Sequence, residues 1–361
     1  MNFPLKPEAA SEHAVGYDYL FNTIVGLTIF FTVVVGLLVL VLAIRYRRGS
    51  KVDRKNPITH HLGLELTWLF VPLVLGLGIF AWSAVRFVDF RTEPEDAKEV
   101  LVIGKQWMWH VQHMNGIREN NELHVPVGKP VKLTMISQDV IHAMYLPEFR
   151  VQYHVVPGRY TELYFTPNKT GKFKLLCGMH CGTQHSEMVG YVYVLSEPDY
   201  IDWVENEGDR FRDIPQTMVA AGRQLYEKYN CSSCHGQQNS VRGPSLYGLL
   251  GRTRNFRDGS STVADIEYIR DSIVNPYDRV VSGYEETMPA YGGQLTEEQI
   301  FSMVKYIESL SLGNQEGDKA PYEQPVPQFE RGPSAPETAT DIANDRASAG
   351  ASQAQEVETY E

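Results

Sequence analysis

The chain has 361 residues, enough for two or three domains, and its 44 acidic against 33 basic side chains give a formal net charge of −11. That balance argues against a nucleic-acid partner. The four cysteines fall into two close pairs, each inside a ligand-bearing motif, so none is left for a structural disulfide.

Two stretches are long and apolar enough to span a bilayer, which takes roughly 20 residues of helix. The first runs from about Tyr17 to Ile44 and the second from about Leu62 to Val88, with Glu65 near its start and Arg86 near its end. The first is too long, and lacks the preceding basic region, for a cleavable signal peptide. The connection carries Arg45, Arg47, Arg48, Lys51, Arg54 and Lys55 against a lone Asp53. The positive-inside rule makes that loop cytoplasmic. Residues 1–95 therefore read as a transmembrane helical hairpin in a bacterial cytoplasmic (inner) membrane, with both termini and the later domains on the extracytoplasmic side.

Residues 96–197 alternate apolar and polar side chains in short runs, such as Val100–Ile103, Val131–Ile136, Tyr160–Phe165 and Gly190–Val194. Turn signals at Pro126-Val127-Gly128, Pro157-Gly158 and Pro167 to Gly171 separate them, a spacing that predicts a β-sandwich or barrel. Near its end lies Cys177-Gly178-Met179-His180-Cys181-Gly182-Thr183-Gln184-His185-Ser186-Glu187-Met188. With His142 upstream, the set His142, Cys177, Cys181, His185 and Met188 offers soft ligands suited to copper. Two thiolates four residues apart can bridge a pair of copper ions, with a histidine at each end. The alternative is tetrahedral zinc on the cysteines and histidines, which leaves Met188 without a role. His180 has the wrong spacing for the set, and His110, His113, His124 and His154 have no partner at metal spacing.

Residues 198–215 read as an acidic linker. Helices are expected over Thr217–Asn230, Thr262–Val274 and Thr296–Leu310. The last opens on the capping-box spacing Thr296-Glu297-Glu298-Gln299 and carries Ile300, Met303, Val304, Ile307 and Leu310 on one face. Between them, Cys231-Ser232-Ser233-Cys234-His235 has the C-x-x-C-H pattern of covalent c-type haem attachment. Cys231 and Cys234 would form the thioethers and His235 the proximal iron ligand. Met288, in Thr287-Met288-Pro289, is the distal candidate, because methionine–histidine ligation closes the sixth position and suits electron transfer. Met218 and Met303 fall within helices and read as core. Residues 216–312 thus form a helical haem domain. From Gly313 onward ten acidic and three basic residues, with few large apolar ones, read as a disordered acidic tail. Docking of a basic partner is the alternative role for its charge.

The hairpin together with His142 and the Cys177–Met188 run resembles subunit II of the haem–copper cytochrome c oxidases. That family carries a binuclear CuA centre in a cupredoxin domain. Gly104-Lys105-Gln106-Trp107-Met108-Trp109, Leu64-Glu65-Leu66-Thr67-Trp68 and Val156-Pro157-Gly158-Arg159 agree with it, so the resemblance covers roughly residues 15–196. It implies that electrons enter at Trp107 and that Glu65 lies at the mouth of a proton path shared with subunit I. It also implies that the backbone carbonyl of Met179 binds copper. The family usually has a glutamate at that position, whose carboxylate reaches a magnesium ion, so Met179 puts the magnesium contact in doubt.

Residues 216–312 resemble class I cytochromes c, in which a proline placed like Pro244 orients the histidine ligand through its carbonyl. The fusion resembles the caa-type oxidases. The expected architecture is a membrane-anchored multidomain protein: a two-helix hairpin, a cupredoxin-like all-β sandwich and an all-α class I cytochrome c domain. The implied function is transfer of electrons from an external donor, such as a cytochrome c or an upstream quinol-oxidising complex, through haem c and CuA to haem a of subunit I. There oxygen is reduced to water with proton translocation. Subunit I, with haem a and CuB, and subunit III are the implied partners, besides membrane lipid. A copper-containing nitric oxide reductase subunit and a free-standing membrane electron shuttle are the alternatives.

Overall fold

A computed structural model of the chain describes residues 6–52, 60–210 and 217–312. Arg54 and Lys55 of the basic loop, residues 211–215 of the expected linker and the tail 313–361 lie outside the described residues. The chain divides into Met1–Gly317 and Asp318–Glu361, and the described residues all belong to the first of these units.

Two long helices open it, α1 (Glu12–Arg45) and α2 (Leu62–Arg91), each a few residues longer than its expected span. Their apolar side chains face outward along most of their length, the arrangement a bilayer or a membrane partner stabilises. The hydroxyls of Thr23, Thr28 and Thr32 each donate to the carbonyl four residues earlier at 2.7–2.8 Å, which satisfies them without water. Ser11 caps α1, accepting from Ala14 N at 3.0 Å while its hydroxyl donates to Phe149 O at 2.9 Å. One residue therefore starts the helix and fastens it to the extracytoplasmic domain.

Ten strands follow as a sandwich. They are β1 (Lys98–Lys105), β2 (Met108–His113), β3 (Arg118–Asn120), β4 (Glu122–Pro126), β5 (Val131–Ser137), β6 (His142–Leu146), β7 (Val151–Val155), β8 (Thr161–Phe165), β9 (Gly171–Cys177) and β10 (Val189–Leu195). One sheet runs β3-β2-β1-β5-β8 and the other β4-β10-β9-β6-β7. The alternation seen in the sequence sends Val100, Val102, Leu133, Met135, Leu175, Val192 and Val194 into one core between the sheets.

Most of the expected linker is not irregular: α3 (Glu197–Arg210) is a helix. Its charges hide a short aromatic face, on which Tyr200 and Trp203 pack against the sandwich. The C-terminal helical lobe contains α4 (Met218–Lys228), a small hairpin of β11 (Thr253–Asn255) and β12 (Ser261–Val263), α5 (Ile266–Val274) and α6 (Glu297–Leu312). Thr262 lies in the hairpin rather than in a helix, and Asp265 caps α5 by accepting from Tyr268 N at 2.7 Å. The capping box at Thr296 forms in both directions, with Thr296 N donating to Gln299 Oε1 at 3.0 Å and Gln299 N to Thr296 Oγ1 at 3.3 Å. Helices α4 and α6 cross at Gly222, where an added Cβ would lie 2.0 Å from Ser302 O, so no larger residue fits.

Helix α6 has two working faces. Ile300, Met303, Val304 and Ile307 fill the core of the helical lobe. Phe301, on the other side, joins Leu101, Ile103, Ile136, Tyr160 and Met218 in a second cluster shared with the sandwich. Burying such an aromatic is worth roughly 1.5–3 kcal/mol. Ion pairs surround it: Lys305 Nζ lies 2.5 Å from Glu99 and 2.9 Å from Glu308, and Arg270 bonds Glu297 at 2.7 Å and Gly158 O at 2.9 Å. Glu298 pairs with Arg118 and with His110.

Candidate metal and haem centres

Strand register builds the first centre. Met144 on β6 stands opposite Cys177 on β9, so His142, two residues earlier, falls just beyond the end of β9. The loop leaving Cys177 turns back through a short helical turn over His185–Glu187 and re-enters the sheet at β10, directly after Met188. The donors then form a chain. His142 Nδ1 lies 4.0 Å from Cys177 Sγ, Cys177 Sγ 3.8 Å from Cys181 Sγ, and Cys181 Sγ 3.5 Å from His185 Nδ1. Met188 Sδ lies 3.8 Å from Cys181 Sγ, and the Met179 carbonyl oxygen 3.2 Å from Cys177 Sγ. The structure thus brings together all six positions named from the sequence, and the Met179 side chain stays exposed. His180 stacks edge-on against His185 at 5.5 Å without joining the donor chain.

Surrounding groups hold this set. Asp139 Oδ1 accepts from His142 Nε2 at 2.8 Å, which leaves Nδ1 turned toward the sulfurs; such a carboxylate fixes both tautomer and ring orientation. Gln106 N in turn donates to Asp139 at 2.7 Å, and Gln106 Nε2 donates to Cys181 O at 2.8 Å. Burial opposes ionisation of Cys177, but the hydrogen bonds from His142 and the backbone outweigh it and bring its pKa down. Burial and the neighbouring Cys177 push Cys181 up. One thiol of the pair is thus primed to lose its proton, as metal binding requires.

Trp107 lies against this loop. A Cβ on Gly182 would come within 3.2 Å of its ring and 2.9 Å of Gln106 Nε2, and Gly182 has φ +125°; both facts demand glycine. Glu65 sits in the first turn of α2 and accepts from His61 N at 3.1 Å, while His61 Nδ1 accepts from Leu64 N at 3.1 Å. This is a reciprocal helix cap at the N-terminus of α2.

The second centre is a cavity of about 340 Å³ lined by Cys231, Cys234, His235, Pro244, Met288 and Met303. His235 N donates to Cys231 O at 2.9 Å, which holds the motif as one turn. His235 Nδ1 lies 2.8 Å from Pro244 O, so Nε2 is the nitrogen left for a metal. Tyr226 donates its hydroxyl to His235 O at 2.5 Å. Burial lowers the His235 pKa, which keeps the imidazole neutral and able to ligate. Met218 is core, as expected, whereas Met303 is both core and cavity wall.

The sequence reading missed one polar cluster. Glu119 binds His113 Nε2 at 2.7 Å and also His124, whose ring is stacked between Tyr193 and Trp203 at 4.5 and 4.7 Å. Burial opposes ionisation of Glu119, yet the two imidazoles hold its pKa down to about 2. The members come from four strands and α3, so no spacing in the sequence could reveal them.

A membrane-anchored cupredoxin-type sandwich joined to a helical cytochrome c-type domain is the class that these features define. The family model for cytochrome c oxidase subunit II, periplasmic domain, matches residues 113–194. The model for cytochrome c oxidase, cbb3-type, subunit III matches residues 217–307. Cytochrome c oxidase subunit 2 of Alkalihalophilus pseudofirmus is 26% identical, over 82% of this chain and 87% of that protein. The alternative cytochrome c oxidase subunit 2 of Bradyrhizobium diazoefficiens is 33% identical over 40% of this chain and 64% of its own length. Among solved structures, the periplasmic domain of subunit II of cytochrome oxidase of Bradyrhizobium japonicum aligns with a TM-score of 0.32 at 29% identity, covering 33% of this chain and 99% of that one. Its periplasmic region is thus similar to cytochrome c oxidase subunit II, and a region similar to a cytochrome c domain follows it in the same chain. It is a subunit of an oxidase complex.

Proposed function

We propose that this chain is the electron-input subunit of a respiratory terminal oxidase, accepting electrons from an external donor and delivering them to subunit I. The observation that carries this reading is the donor chain His142–Cys177–Cys181–His185, flanked by Met188 and the Met179 carbonyl, in a protein that also carries a cavity lined by a C-x-x-C-H motif and Met288. Six donors exceed what tetrahedral zinc uses, and two thiols 3.8 Å apart suit a bridged pair of copper ions. The apolar walls of the second cavity, with two cysteines, one imidazole and a thioether, suit a covalent haem c with histidine and methionine on the iron.

Bound copper and haem would supply one-electron chemistry at two points of one polypeptide. The chain's own residues set the terms. Asp139 orients His142, Pro244 orients His235, and the strand ends keep the thiols at fixed separation, so little need move on reduction. Trp107, against the ligand loop at Gly182, is the surface where electrons enter, and Glu65 is the carboxylate at the proton-input side of α2. The membrane is a bacterial inner membrane, with the redox domains outside. A redox difference spectrum of the purified complex tests the reading. Haem c and haem a bands together with a near-infrared copper band are expected, and absence of the copper band would overturn it.

A further inference from the structure

The corner between β3 and β4 gathers a second group of metal-type donors that shares no residue with the copper loop. Asn121, with φ +58°, turns the chain from one sheet into the other. Its N donates to Trp109 O at 2.7 Å and its carbonyl accepts from Tyr191 N at 2.8 Å, so the corner is pinned to both sheets. Glu122 and His124, two residues apart on β4, share one face of that strand. Glu119 reaches back from β3 to meet them, its Oε1 accepting from His124 N at 3.1 Å. A carboxylate oxygen of Glu119, one of Glu122 and a ring nitrogen of His124 all lie within 4.8 Å of one another.

The surroundings hold these groups as metal ligands are held. His113 Nε2, 2.7 Å from Glu119 Oε1, fixes the carboxylate from behind and leaves Oε2 against His124 Nδ1. The His124 ring cannot turn, because Tyr193 and Trp203 stack on its two faces. Tyr193 donates its hydroxyl to Glu122 at 3.3 Å. Such outer partners orient ligands and raise metal affinity. Glu119 is nearly buried, whereas Glu122 is exposed and makes no ion pair among the described residues; it leaves an entry from solvent. With neutral imidazoles, two carboxylates converge here without a balancing cation. Imidazole and carboxylate donors suit zinc, which takes three protein ligands and a water at an open site. We propose that Glu119, Glu122 and His124 bind a divalent cation of the zinc type, which replaces the proton shared by Glu119 and His124, with His113 as a positioning residue. The ion ties β3 to β4 and stiffens the His124–Trp203 stack on which α3 docks. This site goes beyond the electron-input reading and does not depend on it.

Zinc titration of the full chain tests the site. Wild type, Glu122→Gln and His124→Gln are purified, freed of loosely bound metal by dialysis, and their copper and haem contents measured. Isothermal titration should show one zinc ion bound by wild type at micromolar or tighter affinity, with no copper released. Glu122→Gln, at an exposed position that the fold does not need, should bind about tenfold more weakly or worse, and His124→Gln should not bind. Zinc should raise the melting temperature of wild type and not that of Glu122→Gln. Copper and haem contents should be the same in all three proteins. Wild type that takes up no zinc, or takes it up only as copper is lost, overturns the site. So do variants that bind zinc as wild type does. If His124→Gln does not accumulate, Glu122→Gln decides alone.

Discussion

In the β-sandwich each candidate side-chain donor stands within 4.0 Å of the next, whereas in the helical lobe Cys231, Cys234, His235 and Met288 stand around a cavity of about 340 Å³. The first site is assembled by strand ends and one tight loop, so protein alone sets its geometry. The second is a shaped, largely apolar hollow in which Pro244 and Tyr226 hold His235. Bare metal ions demand closely spaced donors. A large planar group brings its own ligand spacing and asks the chain for walls, two attachment points and two axial groups.

Cys181→Ser strikes this contrast hardest. Cys181 Sγ touches Cys177, His185 and Met188, and it cannot be replaced by a hard hydroxyl at a soft-metal site. The binuclear copper band should vanish while covalent haem persists at full occupancy. A mutant that retains the near-infrared band would break the assignment of the loop.

Met288→Ala probes the other lobe. Haem attachment depends on the thioethers and should survive, but the potential should fall and reduction by the external donor should slow by an order of magnitude or more. Artificial reductants that feed the copper site directly should still support turnover. Met303 also lines the cavity, so an unchanged potential in Met288→Ala, with a drop in Met303→Leu, would transfer the axial role to α6.

The clustering of the Cys177–Met188 donors was legible in the sequence because they lie within twelve residues, with His142 the one remote member. The haem motif was legible for the same reason, and the Thr296 capping box because its two halves are three residues apart. What remained hidden depends on surfaces that meet only after folding. Helix α3 was masked by its acidic composition; its docking rests on Trp203 meeting His124 and His113. Lys305 and Phe301 looked like the solvent side of an amphipathic helix, yet they are 4% and 0% exposed, because the sandwich covers that side.

The covered side of α6 yields the next effect. Lys305→Met removes the cation between Glu99 and Glu308 and leaves Glu99 buried against an apolar chain. Removing one member of a buried pair costs about 3–5 kcal/mol. Thermal unfolding of the full chain should therefore show the haem domain melting at lower temperature, apart from the sandwich, with the copper spectrum intact. Unchanged melting would mean that the two lobes are joined mainly by the Phe301 cluster.

Glu65→Gln is expected to act more mildly, slowing turnover several-fold with both redox spectra unaltered. Its cap to His61 N uses an oxygen that glutamine also has, so helix α2 should start at the same place. A loss of rate would then report the acid group itself. Wild-type turnover would favour a carboxylate that only snorkels beside the basic loop.

The smallest effect is expected at Met179, and it tests whether the sandwich site depends on backbone as well as side chains. The Met179 carbonyl lies 3.2 Å from Cys177 Sγ, whereas its side chain is 36% exposed. Met188, 1% exposed, supplies the thioether next to Cys181. A thioether is also a poor ligand for magnesium, which prefers oxygen, so any magnesium near this loop must be held by other groups. Met179→Leu keeps the carbonyl and removes only the sulfur. It should leave the copper band, the copper content and the oxygen-uptake rate close to wild type. Loss of the copper band in this variant would show that the side chain turns inward to bind metal, and the loop would then need a different ligand set.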